Sequence, residues 1–246
     1  MLRKAQGVLT PQLAPIGRRF EPVTTEEARA FLAATRGHRL HALFELALRT
    51  GLRKGELLGL RWEDLDLAGG TASIRRTLQR TNSGGLIALP TKTQSSERRI
   101  ALPTPSLRSL VQHRDQQRQE REAEGTGWKD SGYVFTRPNG APIEGATLTR
   151  HFTALLRRAR LRRIRFHDLR YSAATLLLEQ GVELVVIKEL LGHAHIGVTA
   201  TVYAHVRLRL QRQAIDTLSN ALRDPAEDTA RPGDEDDPPL RAAPVL

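Results

Sequence analysis

The chain has 246 residues, 39% of them apolar, a formal net charge of +11 and no cysteine. That length can bury a proper core in one large or two small domains, while the missing thiols exclude disulfides, thiolate metal sites and cysteine nucleophiles together. No run nears the ~18 apolar residues of a bilayer span, and "MLRKAQGVLTPQ" lacks the apolar stretch of a signal peptide, so a cytoplasmic protein with no membrane partner is expected.

Residues 1–21 are basic, contain proline and show no clear period, which reads as a linker. "TTEEARAFLAATRG" opens with a capping box, Thr24 and Glu27, ahead of apolar residues at helical period. "HRLHALFELALRTG" predicts a second helix with Gly51 at its C-terminal cap, and "KGELLGL" a shorter third. "GGTASIRRTLQR", "GLIALP" and "RRIALP" are short, β-leaning and bounded by Gly or Pro, so they predict a small antiparallel sheet. Helical pattern resumes in "PSLRSLVQHRDQQRQEREAEG". A strand-like "YVF" then precedes a turn at "PNGAP", and helices dominate from Thr147 to about Arg223. The segment 224–246, "DPAEDTARPGDEDDPPLRAAPVL", holds seven acids against two arginines, a net of −5, and reads as disordered. Residues 1–223 therefore carry +16, an excess that points to a polyanionic partner, most simply nucleic acid. Of the 38 basic residues, 33 are Arg. Arg is the better phosphate fork, although a GC-rich genome gives the same ratio.

Four stretches carry candidate chemistry. Arg53 lies in "TGLRKGELLGLRW", Lys92 in "LPTKTQSSERRIALP", His167 and Arg170 in "FHDLRYSAATLLLEQG", and His193 and Tyr203 in "LGHAHIGVTATVY". Singly, each has an ordinary explanation: a surface arginine, a solvated lysine at a hairpin tip, a histidine near a helix start, a packed tyrosine. His167 and Arg170, three apart on a helix, share a face. Val198, Val202 and Val206 form one apolar stripe from which Tyr203 is offset by a single position. Together, two arginines, two histidines, a lysine and a tyrosine meet the needs of phosphodiester transfer without metal. Arginines grip non-bridging oxygens and offset transition-state charge. A phenol attacks phosphorus once a neighbour takes its proton, a lysine protonates the leaving sugar oxygen, and histidines donate to the phosphate or assist the nucleophile. No Asp/Glu cluster offers a two-metal site.

The ordered series "TGLRKGEL", "TKT", "HDLR", "LGHAHI" and "TVY" resembles the catalytic domain of tyrosine site-specific recombinases, the phage-integrase family, over roughly residues 22–210. "LGH" following Arg170 and a tyrosine ten residues beyond His193 make the series specific. The resemblance implies a mainly α fold with a small antiparallel sheet. It implies that Arg53 and Arg170 clamp the scissile phosphate, that Lys92 is the general acid, and that His167 accepts a proton or binds phosphate. His193 would hydrogen-bond the phosphate, Tyr203 would form the 3′-phosphotyrosyl bond, and Glu56 would support the site.

The same resemblance implies double-stranded DNA as partner, no metal or cofactor, a monomer free in solution and a homotetramer on DNA. In that assembly the amphipathic segment 207–222 would dock on a neighbouring protomer. It implies a catalytic domain over 22–223 between a linker-like 1–21 and the acidic tail. On this resemblance, the core-binding domain that family members carry ahead of the catalytic domain is expected to be missing, with only the linker-like 1–21 in its place. Two other functions fit parts of the pattern: a type IB topoisomerase that nicks and reseals one strand, and a catalytically idle DNA-binding remnant of an integrase.

Overall fold

The computed structural model describes residues 21–91, 97–192, 211–212, 214–219 and 221–222. The chain divides into two compact units, Met1–Val206 and Arg207–Leu246.

The first unit opens with α1 (Thr25–Thr35), whose capping box forms as expected. The Glu27 amide donates to the Thr24 hydroxyl at 3.1 Å, and the Thr24 amide to the Glu27 carboxylate at 3.0 Å. α2 (His41–Thr50) is the central element. It buries eight residues, Ala42 to Leu48 and Thr50, so it is enclosed on nearly every side. α1, α3 (Lys54–Gly59), α4 (Thr104–Glu124) and α6 (Asp168–Glu179) pack around it. Its apolar centre is aromatic. Phe31 of α1 and Phe152 of α5 (Gly145–Arg158) meet edge-on at 5.4 Å, and Phe44 of α2 contacts both. α2 ends at Gly51, in the left-handed conformation at φ 64°.

Strands β1 (Leu65–Asp66), β2 (Thr71–Ile74) and β5 (Arg98–Ala101) form one antiparallel sheet in the order β1-β2-β5. Strands β3 (Arg76–Arg80) and β4 (Leu86–Pro90) form a separate antiparallel hairpin. The strand-like segments are therefore strands, but in two sheets rather than one. "GGTASIRRTLQR" breaks at Arg75 because β2 pairs with β5 while β3 lies on α3. That approach is close enough that a Cβ on Gly59 would sit 3.0 Å from the Leu78 amide nitrogen. The hairpin tip is 81–85, and Lys92, which falls between β4 and β5 in sequence, lies outside the described residues. The expected "YVF" strand reduces to isolated bridges, Arg61 with Tyr133 and Thr136 with Pro142. α6 and the short α7 (Leu184–Leu191) complete the described part of this unit.

In the second unit the described backbone is helical at 211–212, 214–219 and 221. Its Ile215, Leu218 and Leu222 are exposed, at 63%, 59% and 75%. No helix among the described residues is long and apolar enough to cross a membrane.

Candidate active site

Arg53 occupies the N-cap of α3, one turn before Glu56 at the third helical position. Glu56 accepts from the Arg53 amide at 2.9 Å and from its Nη1 at 2.8 Å. An acid in the first turn complements the helix dipole, and here it also sets the direction of the arginine. Glu56 is 3% exposed. A carboxylate that deeply buried needs charged partners, and it has a second one in Arg98. Arg98 Nη1 and Nη2 donate to the two Glu56 oxygens at 3.2 and 3.1 Å, an end-on fork. Burial alone would raise the Glu56 carboxyl, but the hydrogen bonds and charge of Arg98, followed by Arg53, outweigh it and hold it below the ordinary carboxylate range.

His167 directly precedes α6, and Asp168 fixes the turn that presents it by accepting from the Arg165 amide at 2.8 Å. The His167 ring meets Tyr171 edge-on with centroids 5.0 Å apart. Burial, with Arg170 next in weight, pushes the imidazole below 6.5, so the ring is neutral at neutral pH. Arg170, one helical turn on, is 2% exposed. Its Nη1 donates to the Gly51 carbonyl at 2.8 Å and its Nη2 to the Leu191 carbonyl. Burial, then the neighbouring Arg53, pulls its guanidinium down to about 9, which still leaves it charged at neutral pH.

The three arginines converge on one helix end. Arg98 Nε donates to Leu190 O at 2.7 Å, Arg170 Nη2 to Leu191 O, and Arg53 Nη2 to Gly192 O at 3.2 Å. These are the last carbonyls of α7, which a helix cannot satisfy internally and which carry the negative end of its dipole. α7 stops because Gly192 turns left-handed at φ 62°. Carbonyl dipoles orient the guanidiniums without neutralising them. Three arginines against the single Glu56 leave the cluster at +2. Arg53 and His167 open onto a basin of about 490 Å³, walled by β3, the start of β4 and the N-terminal end of α5. Arg53, open to this basin beside the neutral imidazole and with the buried Arg170 charge behind it, is placed to take an anion.

The structure thus gathers Arg53, Glu56, His167 and Arg170, four of the sequence candidates, and joins the cluster to the last residue before His193. Lys92, His193 and Tyr203, with the valine stripe ahead of that tyrosine, lie outside the described residues. Arg98 is the member that sequence reasoning missed. A usable signal existed: β5 alternates, so the inward Ile100 puts Arg98 on the same inner face and Arg99 outside.

Residues 21–209 match the phage integrase family model. The chain is 36% identical over 212 residues to a tyrosine recombinase XerC-like protein of Caldanaerobacter subterraneus subsp. tengcongensis, covering 82% of this chain and 54% of that protein. It is 34% identical over 205 residues to an integrase of Streptomyces ambofaciens, covering 78% and 51%. The chain therefore spans about half the length of these relatives. Among solved structures, the Tn1549 transposon integrase bound to transposon right end DNA superposes with a TM-score of 0.70 at 23% identity, over 84% of this chain and 69% of that one. The XerA recombinase superposes at 0.63 with 22% identity, over 85% and 66%. At those identities the likeness is one of fold, and it agrees with the mainly helical architecture and small antiparallel sheets described above. With the family model spanning most of the chain and the arginine cluster assembled from its matched segments, this protein belongs to the phage integrase family.

Proposed function

We propose that this chain is the catalytic part of a site-specific DNA recombinase that cleaves and rejoins strands through a 3′-phosphotyrosyl intermediate. The observation that carries it is the pairing of Arg53 and the neutral His167 on the wall of an open basin, with the buried Arg170 charge behind them and a cluster charge that Glu56 does not cancel. In this reading Arg53 and Arg170 hold the non-bridging oxygens of a phosphodiester. The Tyr203 oxygen attacks phosphorus while its proton passes to His167, the P–O5′ bond breaks, and Lys92 protonates the leaving oxygen. His193, one residue beyond the anchored end of α7, donates to the phosphate. As phosphorus becomes five-coordinate the diester gains negative charge, which a net cationic, preoriented site stabilises more than it does the ground state. The covalent link conserves the energy of the broken bond, so rejoining by a 5′-hydroxyl needs no nucleotide cofactor.

The partner in this reading is double-stranded DNA. The body is residues 22–223, with a linker at 1–21 and an acidic tail at 224–246. The exposed Ile215, Leu218 and Leu222 suit the segment 207–222 to docking on a second protomer, in a tetramer formed on DNA from a free monomer.

The test is covalent trapping on nicked duplexes taken from DNA flanking the gene. An SDS-resistant adduct that disappears in Tyr203→Phe is the expected result. If a core-binding domain grafted ahead of residue 22 still gives no adduct on a proven site, the recombinase reading fails and a DNA-binding remnant is left. Relaxation of supercoiled plasmid without strand exchange would instead indicate the topoisomerase.

A further inference from the structure

Arg98 belongs to no candidate set drawn from the sequence, yet it is more deeply buried than Arg53. Its side chain is 8% exposed against 37% for Arg53. Three of its nitrogens reach two different elements: Nη1 and Nη2 take the carboxylate of Glu56 on α3, and Nε takes the Leu190 carbonyl on α7. Its guanidinium lies directly under Gly192, where an added Cβ would come within 2.8 Å of Nη1.

Glu56 presents a difficulty for the site as read above. It hydrogen-bonds Arg53 at 2.8 Å and would, alone with it, form a neutral pair facing the phosphate. We propose that Arg98 is a positioning residue whose charge offsets Glu56, leaving Arg53 free to act as a full cation toward an anion in the basin, while its Nε–H ties that pair to the end of α7. The idea rests on the reading of Arg53 and Arg170 as a phosphate clamp. It adds a reason for a buried acid in a site that needs positive charge: Glu56 fixes the direction of Arg53, and Arg98 removes the electrostatic cost. With Arg98 the three guanidiniums and one carboxylate sum to +2, and without it the sum is +1.

The test compares wild type, Arg98→Met and the double variant Arg98→Met/Glu56→Gln in the full chain. Methionine keeps the volume of the stem. Glutamine keeps a carbonyl oxygen for Arg53 Nη1 and restores the local sum to +2. The first readout is the affinity for inorganic phosphate by phosphorus NMR titration at low salt, with Arg53→Gln used to subtract binding elsewhere. The second is the single-turnover rate of Tyr203 adduct formation. Arg98→Met should weaken phosphate binding about tenfold and slow adduct formation about 10–100-fold, because more charge builds in the transition state. The double variant should recover most of both losses. A scaffold role for Arg98 gives the opposite pattern, since the double variant lacks the fork as well and would be as poor as the single one. That outcome, or an Arg98→Met chain that binds phosphate like wild type, overturns the proposal. If Arg98→Met alone does not fold, the double variant, which buries neither charge, carries the comparison by itself: folded but still tenfold weak counts against. Phosphate binding that follows this pattern in a chain that makes no adduct on a proven site would sink strand cleavage and leave the charge balance standing.

Discussion

Arg170 holds two helix ends together and, in the proposed function, also serves the phosphate, so the two demands share one guanidinium. It takes the Gly51 carbonyl at the end of α2 and the Leu191 carbonyl at the end of α7 from a position 2% exposed. Arg170→Ala leaves both carbonyls without that donor. At about 1–3 kcal/mol for each buried group left unpaired, it should destabilise by about 2–4 kcal/mol and lower Tm by about 5–15 °C. Thermal unfolding followed by circular dichroism checks this, and a Tm within a degree or two of wild type would show that water replaces the guanidinium freely. His167 makes a kinetic prediction. Its imidazole is held below the ordinary histidine value by burial and Arg170, so the neutral form extends to lower pH than in a free histidine. The acid limb of Tyr203 adduct formation should therefore lie at lower pH than an ordinary histidine would place it. His167→Gln should lose about 10²–10⁴ in rate and with it the acid limb. An acid limb unchanged in that variant would assign the titration elsewhere. Arg53, Glu56, His167 and Arg170 were legible because their motifs have fixed order and spacing. Arg98 was not, because in a chain with 33 arginines no single one stands out. Alternation along β5 places it on the inner face, but its role shows only in the pairing with a distant Glu56, and that pairing is tertiary.

Elements fix where these residues end up, and α7 does so through its C-terminus. Gly192 sits at φ 62° with the Arg98 guanidinium against the place a Cβ would take. Gly181 has a similar backbone, φ 79°, with nothing within 4 Å of that place. Both Gly→Ala changes should cost about 1 kcal/mol for the left-handed backbone. Gly192→Ala alone should also displace Arg98, and so should weaken phosphate binding several-fold where Gly181→Ala leaves it near wild type. Equal phosphate affinities in the two variants would mean that the α7 terminus and the arginine cluster are not coupled. At this scale local pattern served well for helices. The Thr24–Glu27 box and the Gly51 cap are short-range devices, and both form as the residues suggest. The sheet was only half legible. β-leaning segments announce themselves, but which strand pairs with which depends on contacts far apart in sequence. β2 pairs with β5 across some 25 residues, while β3, one residue beyond β2, turns to α3 and β4.

At the scale of the whole molecule the governing quantity is charge, and it is divided unevenly. In the proposed function, the +16 carried by residues 1–223 makes counterion release the drive for duplex binding, with log K falling linearly in log salt. The acidic tail works against this, since it lowers the total to +11. Deleting 224–246 should therefore tighten binding to a duplex of arbitrary sequence several-fold at about 50 mM salt, with a steeper salt dependence. The gain should fade as screening shortens, and vanish by about 0.5 M. Fluorescence anisotropy across a salt series measures both quantities. A gain that survives high salt would mean the tail does more than carry charge. Weaker binding after deletion would mean the tail stabilises the DNA-binding body, and net charge would no longer account for affinity. The cluster around Glu56 should respond differently, because buried charges are screened far less than exposed ones. The Arg98→Met defect in adduct formation should thus persist at salt concentrations where the effect of the tail has gone. That separates local charge, which acts on the reacting phosphate, from global charge, which acts on capture of the duplex.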